Sequence, residues 1–305
     1  MTVHQVAVHR APLLWSLWVV AGLFVLPVAE GWTYLAVIVV SALIVSAVPG
    51  AVPRPARHLD RRDLAAIAII YLGVVALLGL AFVGFTTDRV AGLFLSFAAA
   101  LLLGVAGPVV YTVWLRDRPL SSLGLRRDNL RPALGLALLF AGVQYSLTLW
   151  RYDLPAARDW VPLLCMALVV GVFESVFFRG FIQTLLEQQF GHVTGIAGAA
   201  LLYGAYHVGY GMTGNELAFL TALGVVYAVA FAIPRNLLVL WPLLTPLGSF
   251  YANVDAGDID LPWASIAGFA DVLGLMILVG YLGYRHQRRH DREAQRRVES
   301  PTAIR

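Results

Sequence analysis

The chain has 305 residues, of which 59% are hydrophobic and 13% charged, and its mean hydropathy is +0.76. That mix excludes an ordinary soluble globular domain and makes the bilayer the main solvent. The net charge of +4 comes from 22 arginines and no lysine. These sit in short loops and a 21-residue tail rather than on the face of a folded domain, so nucleic acid is not an expected partner and the lipid bilayer is.

A membrane-spanning helix needs about 20 mostly apolar residues. Ten stretches qualify: 11–29, 31–52, 64–85, 90–115, 132–150, 161–178, 192–212, 215–233, 236–254 and 262–284. The expected fold is all-α, a polytopic helical membrane protein of about ten transmembrane helices. The first stretch is long, and Pro27-Val28-Ala29 is a poor cleavage site, so it reads as a retained anchor rather than a secretory signal. With a cytoplasmic N-terminus, 19 of the 22 arginines fall inside: Arg10, Arg54 to Arg62, Arg116 to Arg131, Arg179, Arg235 and the tail. Arg89, Arg151 and Arg158, with Asp255, Asp258 and Asp260, fall outside. The positive-inside rule therefore predicts a multi-pass protein with both termini cytoplasmic, and a bacterial cell membrane is the expected location.

Trp32, Trp114, Trp150, Trp160 and Trp263 lie near predicted span ends, where an amphipathic ring suits the headgroup zone. The single Cys165 lies inside a span, so neither a disulfide framework nor a cysteine metal cluster is available. Stretch 192–212 is crowded with glycine and alanine, which lets helix backbones approach closely and predicts a place at the centre of the bundle. The tail from Arg285 lacks an apolar stripe and reads as a topology signal, in the form of a frayed helix or a disordered segment. The chain divides into an N-terminal four-helix region (1–115), a core (116–284) and a basic tail (285–305).

Ionisable side chains deep in a span cost roughly 2.5 to 3.5 kcal/mol on insertion scales and mark candidate sites. Glu174, His207 and Asp271 qualify, Asp271 standing alone as a packing or boundary residue. The helix holding Glu174 does not stop at Phe178, because apolar residues continue at helical spacing to a stop signal at Gly191. At about 1.5 Å per residue, Glu174 lies roughly 20 Å below the outer end. His207, on the returning antiparallel helix, lies roughly 22 Å from the inner end by the same rise. An acid and an imidazole thus come to similar depth. On chemistry alone they read as either a buried polar pair that fixes packing or a reactive site.

Glu174-Ser175-Val176-Phe177-Phe178-Arg179-Gly180 resembles the EExxxRG motif of the CPBP family of intramembrane proteases, which includes type II CAAX prenyl endopeptidases and bacteriocin-immunity relatives. Tyr203-Gly204-Ala205-Tyr206-His207 is similar to that family's FxxxH motif, and the resemblance covers about residues 116–254. It implies a CPBP-type core with Glu174 as the water-activating base, His207 as its partner or an oxyanion stabiliser, and Arg179 in the catalytic motif. It also implies a peptide or prenylated-protein substrate.

Two departures stand out. The motif's second glutamate is Ser175, so Arg179 lacks the carboxylate one turn away on its helix face and must find another partner or reach the headgroups. In the third motif, Thr245 and Ser249 stand where the family has His and Asn. With Ser175 and Tyr203 they form the expected polar wall of the site. No cofactor follows from the residues. The resemblance allows a divalent metal such as zinc, but one His, one Glu and two hydroxyls fall short of the three good ligands of a catalytic zinc. The resemblance implies either an active endopeptidase or a relative that has lost catalysis and works by binding, as an immunity factor or scaffold. A small-molecule transporter is the third reading, disfavoured by the lack of internal repeats.

Overall fold

The computed structural model describes residues 3–49, 51, 59–87, 89–255, 261 and 263–299. Arg54, Arg57, Asp258, Asp260 and the last six residues, 300–305, of the basic tail lie outside the described residues. Every predicted stretch is helical, and the described residues contain no strand. The helices are α1 (Val3–Val25), α2 (Gly31–Ala47), α3 (Arg61–Phe85), α4 (Val90–Leu115) and α5 (Leu130–Arg151). They continue with α6 (Ala157–Phe190), α7 (His192–Tyr206), α8 (Gly214–Ala232), α9 (Leu244–Asp255) and α10 (Ala264–Glu299).

Seven of these segments are long and apolar enough to cross a membrane: α3, α4, α5, α6, α8, the stretch Leu237–Asp255 that contains α9, and α10. The chain is therefore a multi-pass membrane protein. The apolar run of α1, Ala11–Val25, the 17 residues of α2 and the 15 of α7 are shorter. The tail is helical through Glu299 as a direct extension of α10, rather than frayed or disordered.

Local chemistry sets several boundaries. The Asp60 side chain accepts a hydrogen bond from the Arg62 amide at 2.9 Å and caps α3. Thr213 and Glu216 form a capping box at the start of α8. As the sequence predicts, α6 runs on to Gly191, whose φ of 93° is a conformation that suits glycine. At 34 residues α6 spans about 51 Å, well beyond the roughly 30 Å hydrocarbon core, so one end projects or the helix tilts.

The most enclosed spans are α6 and α8, with 61% and 67% of their apolar windows buried against 17–44% for the others. The expectation that 192–212 occupies the centre holds for one side of the helix, where eight of the fifteen residues of α7 are buried. The small residues of α7 do pack against both α6 and α8, yet its other face leaves Val193 and Leu201 exposed. Small residues fix how closely a helix packs but not how many of its sides are covered. α1 and α2 lean on α8, while α9 and α10 lean on α6.

At one end of the bundle, Asp63 at the start of α3 is buried and pairs with Arg118 at 2.9 Å, and it accepts a hydrogen bond from Tyr111 of α4 at 2.7 Å. Asp60 pairs with Arg116, and its backbone N–H and C=O bond to the Gln189 side chain of α6 at 2.9 and 3.1 Å. The Arg62 amide first, and then the Arg116 guanidinium, hold the Asp60 carboxyl below its ordinary value of 3.8. A lowered pKa contributes stability above the ordinary value and loses it as pH falls through the lowered one. Protection of the Arg62 amide from hydrogen exchange, corrected for intrinsic rate, should hold at neutral pH and decline below about pH 4. A flat profile would show that the cap does not depend on the ionised carboxylate.

Candidate active site

Glu174 sits where the regular α-helix of α6 changes into a π-helical stretch, Ser175–Gln183. Such wide turns bond i to i+5 and are frequent at functional sites. The helix is held close to α9 at Gly171, where a side chain would collide with Thr245 and Pro246. From the other side, α7 presents Tyr203 and Tyr206, and the tight turn after it presents His207 and Tyr210. Their i, i+3, i+4, i+7 spacing places them on one face.

The Glu174 carboxyl is buried and accepts two hydrogen bonds, from the Tyr206 hydroxyl to Oε1 at 2.6 Å and from the Tyr203 hydroxyl to Oε2 at 3.2 Å. His207 Nε2 faces Oε1 across 4.0 Å. The other ring nitrogen, Nδ1, lies 2.9 Å from the Tyr203 carbonyl oxygen. A carbonyl only accepts, so Nδ1 carries a proton there, and in the neutral ring Nε2 is left with a bare lone pair. The imidazole packs against the Tyr206 ring at 4.0 Å between centroids, and Phe173, Phe177 and Phe178 continue the aromatic shell. The site thus joins a carboxylate and an imidazole nitrogen in an apolar enclosure, where electrostatic interactions are strong.

The structure brings Glu174, His207 and Tyr203 together as predicted, with a correction: the direct partners of Glu174 are tyrosine hydroxyls, and His207 stands one small molecule away. Tyr206 was not recognised as a site residue, although its spacing from Tyr203 and His207 signals it. Ser175 and Thr245 meet at 3.2 Å between hydroxyl oxygens, and Thr245 also reaches the Gly171 carbonyl at 3.4 Å. Ser249, one turn on, is half-buried. Its carbonyl accepts a hydrogen bond from Asn253, and among the described residues its hydroxyl joins neither Glu174 nor His207. Asp271 is exposed on α10, away from the site.

Arg179 does not reach the headgroups. It is 2% exposed, and its guanidinium carbon lies 4.9 Å from the centre of the Tyr203 ring. The i to i+5 bonding of the π turn brings positions five apart into line, which turns Arg179 inward beneath Glu174. Among the described residues, neither Nη1 nor Nη2 has a hydrogen-bond partner.

A second polar cluster lies further along α6. Glu187 is buried and pairs with Arg235, from the connection after α8, and its Oε1 accepts a hydrogen bond from Gln183 at 2.8 Å. His192 Nδ1 lies 3.1 Å from Arg235 Nη2 and 3.2 Å from Glu187 Oε2. Gln183 also donates to the Ala228 carbonyl of α8 at 2.9 Å. The cluster ties together α6, the first turn of α7, the end of α8 and the connection beyond it, fixing the register of the hairpin that carries Glu174 and His207. Arg235 reads in the sequence only as an orientation charge.

Glu174 and His207 offer two metal donors, and Glu174 Oε1 already accepts from Tyr206. Among the described residues no group of three His, Cys, Asp and Glu side chains converges. The donor set does not fit a catalytic zinc, which uses three protein ligands.

Residues 156–243 match the family described as type II CAAX prenyl endopeptidase Rce1-like. The resemblance to the CPBP family read from the motifs holds over this stretch, under a third of the chain. It includes Glu174 to Arg179 and Tyr203 to His207 and ends at Leu243, two residues short of Thr245. No curated protein and no solved structure matches the chain.

Proposed function

We propose that this membrane protein is an intramembrane endopeptidase of the CPBP type, in which Glu174 activates water against a peptide carbonyl. The observation that carries this reading is the 4.0 Å gap between Glu174 Oε1 and His207 Nε2, two atoms that both accept hydrogen bonds. A water about 2.8 Å from each would donate one hydrogen to each and keep a lone pair free for attack. As the bond to carbon forms, Glu174 takes the proton. Tyr206 and Tyr203 hold the carboxylate in place, and the fixed Nδ1 bond aims the imidazole. His207 Nε2 then takes that proton from Glu174, and in this protonated form it donates to the oxyanion and delivers the proton to the leaving amine. Thr245 and Ser175 contribute hydroxyls on the side towards α9.

The substrate class supported by the family match is a membrane-associated peptide, including the C-terminal region of a prenylated protein, presented from the cytoplasmic leaflet of a bacterial membrane. The test is hydrolysis of a library of lipid-anchored fluorogenic peptides by the purified protein in nanodiscs. Turnover above the rate of a Glu174→Gln control supports the reading, and its complete absence across the library favours the binding-only alternative.

The proposed orientation places both termini in the cytoplasm. Reporter fusions after Arg131 and Arg285 should report cytoplasm, and a fusion after Asp255 the outside. An outside signal from the Arg116 to Arg131 connection would reverse the arrangement and with it the leaflet from which substrate arrives.

A further inference from the structure

The Arg179 guanidinium is costly to leave as it stands. It is 2% exposed and stacked on Tyr203, and its Nη1 and Nη2 have no acceptor among the described residues. A guanidinium keeps its charge under all ordinary conditions, so it cannot escape burial by losing a proton. Buried charges are paired with a counter-charge or with several hydrogen bonds. The nearby carboxylate of Glu174 is already engaged by two tyrosine hydroxyls. One turn back, where a glutamate would pair with the arginine, the chain has Ser175, whose hydroxyl is turned to Thr245. A neutral hydroxyl could not balance the charge in any case.

The neighbouring wall adds to the case. Tyr227 of α8 is also buried, and its hydroxyl lies 3.3 Å from the side-chain amide of Gln144. Gly248 of α9 makes room for that hydroxyl, since a side chain there would occupy its position. Arg179 therefore keeps hydrogen-bond donors without an acceptor in a buried region, where the Glu174 carboxyl is its neighbouring charge.

We propose that Arg179 is a buried acceptor for a small monovalent anion, which takes the place left vacant by the substitution of the motif's second carboxylate with Ser175. Chloride and a carboxylate share the required chemistry. The carboxylate can come from a free ion or from the C-terminus of a bound peptide. The site stands whether or not the protein cleaves peptides.

The test is thermal unfolding of the purified protein in detergent at fixed ionic strength, replacing gluconate with chloride or with acetate. A saturable rise in unfolding temperature, on the order of 3 °C at ten times the dissociation constant, is expected for both ions in the wild type. Ser175→Glu supplies an internal carboxylate one turn from Arg179 and should start at the anion-saturated temperature with a flat titration. Arg179→Gln, if it folds, should also be flat. A decapeptide with a free C-terminus should raise the chloride concentration needed for half effect if peptide carboxylates use the site, while its C-terminal amide should not. If both peptides leave chloride binding unchanged, the free ion is the occupant. No saturable response in the wild type, or an undiminished response in Ser175→Glu, overturns the proposal. Loss of hydrolysis with the anion response intact would instead count against the protease reading alone.

Discussion

Glu174→Gln is expected to reduce hydrolysis of any cleavable peptide about 100- to 10,000-fold while leaving the protein folded. The glutamine keeps the shape of the side chain, and its amide oxygen still accepts from one tyrosine. The other tyrosine hydroxyl can rotate to accept from the amide NH₂, so both bonds at 2.6 and 3.2 Å have replacements. What disappears is an atom able to take a proton from water in the gap facing His207. Single-turnover cleavage in nanodiscs, alongside thermal unfolding, separates the two effects. Undiminished hydrolysis by the variant would end the general-base assignment. If unfolding shifts strongly instead, the carboxylate serves the packing of α6 against α7, and the protein belongs with relatives that act by binding. Chelators should leave turnover unchanged, since two donors are too few for a tightly held zinc. Activity lost to a chelator and restored by metal would overturn that assessment.

Arg235→Leu should cost about 3–5 kcal/mol of stability, the range for removing one partner of a buried ion pair. The two halves of the pair are unequal: the Glu187 side chain is 2% exposed and that of Arg235 is 30% exposed. Without the arginine, the carboxylate stays buried with only Gln183 and His192 beside it. Without the carboxylate, the arginine can turn towards water. Glu187→Gln should therefore be clearly milder than Arg235→Leu. Reversible unfolding in mixed micelles measures both. Equal losses, or a loss below about 1 kcal/mol for Arg235→Leu, would mean that water already reaches Glu187.

The parts of the molecule legible in the sequence are those governed by solvent. Among the described residues each of the ten apolar stretches contains a helix, and seven are long and apolar enough to cross a membrane, where a backbone must satisfy its own hydrogen bonds. Glu174 and His207 stood out because ionisable groups are rare at such depth, and the structure places them 4.0 Å apart. Tyr206 did not stand out despite its spacing from Tyr203, since tyrosines in a membrane protein most often mark interfaces, and the 2.6 Å bond places it at Glu174. The fate of Arg179 was hidden for a geometric reason. Apolar spacing does not announce a π stretch, and the winding of Ser175–Gln183 sets Arg179 beneath Glu174. Arg235 was read as an orientation charge because loop arginines usually are, and its buried partner lies 48 positions earlier.

The wide turn after Glu174 also behaves as a frameshift written into a helix. Each turn of a π stretch holds roughly one residue more than an α turn. Removing a single residue between Ser175 and Gln183 would let α6 wind uniformly, and everything downstream would rotate by about 100° relative to Glu174. Gln183 and Glu187 would swing away from Arg235 and His192, and Arg179 would leave the Tyr203 ring. The Glu174 carboxyl and the brace at the end of the same helix can thus both face inward only because the extra residue reconciles two otherwise incompatible phases. Comparison of this chain with relatives should treat a one-residue gap in this stretch as a change of phase rather than a change of length.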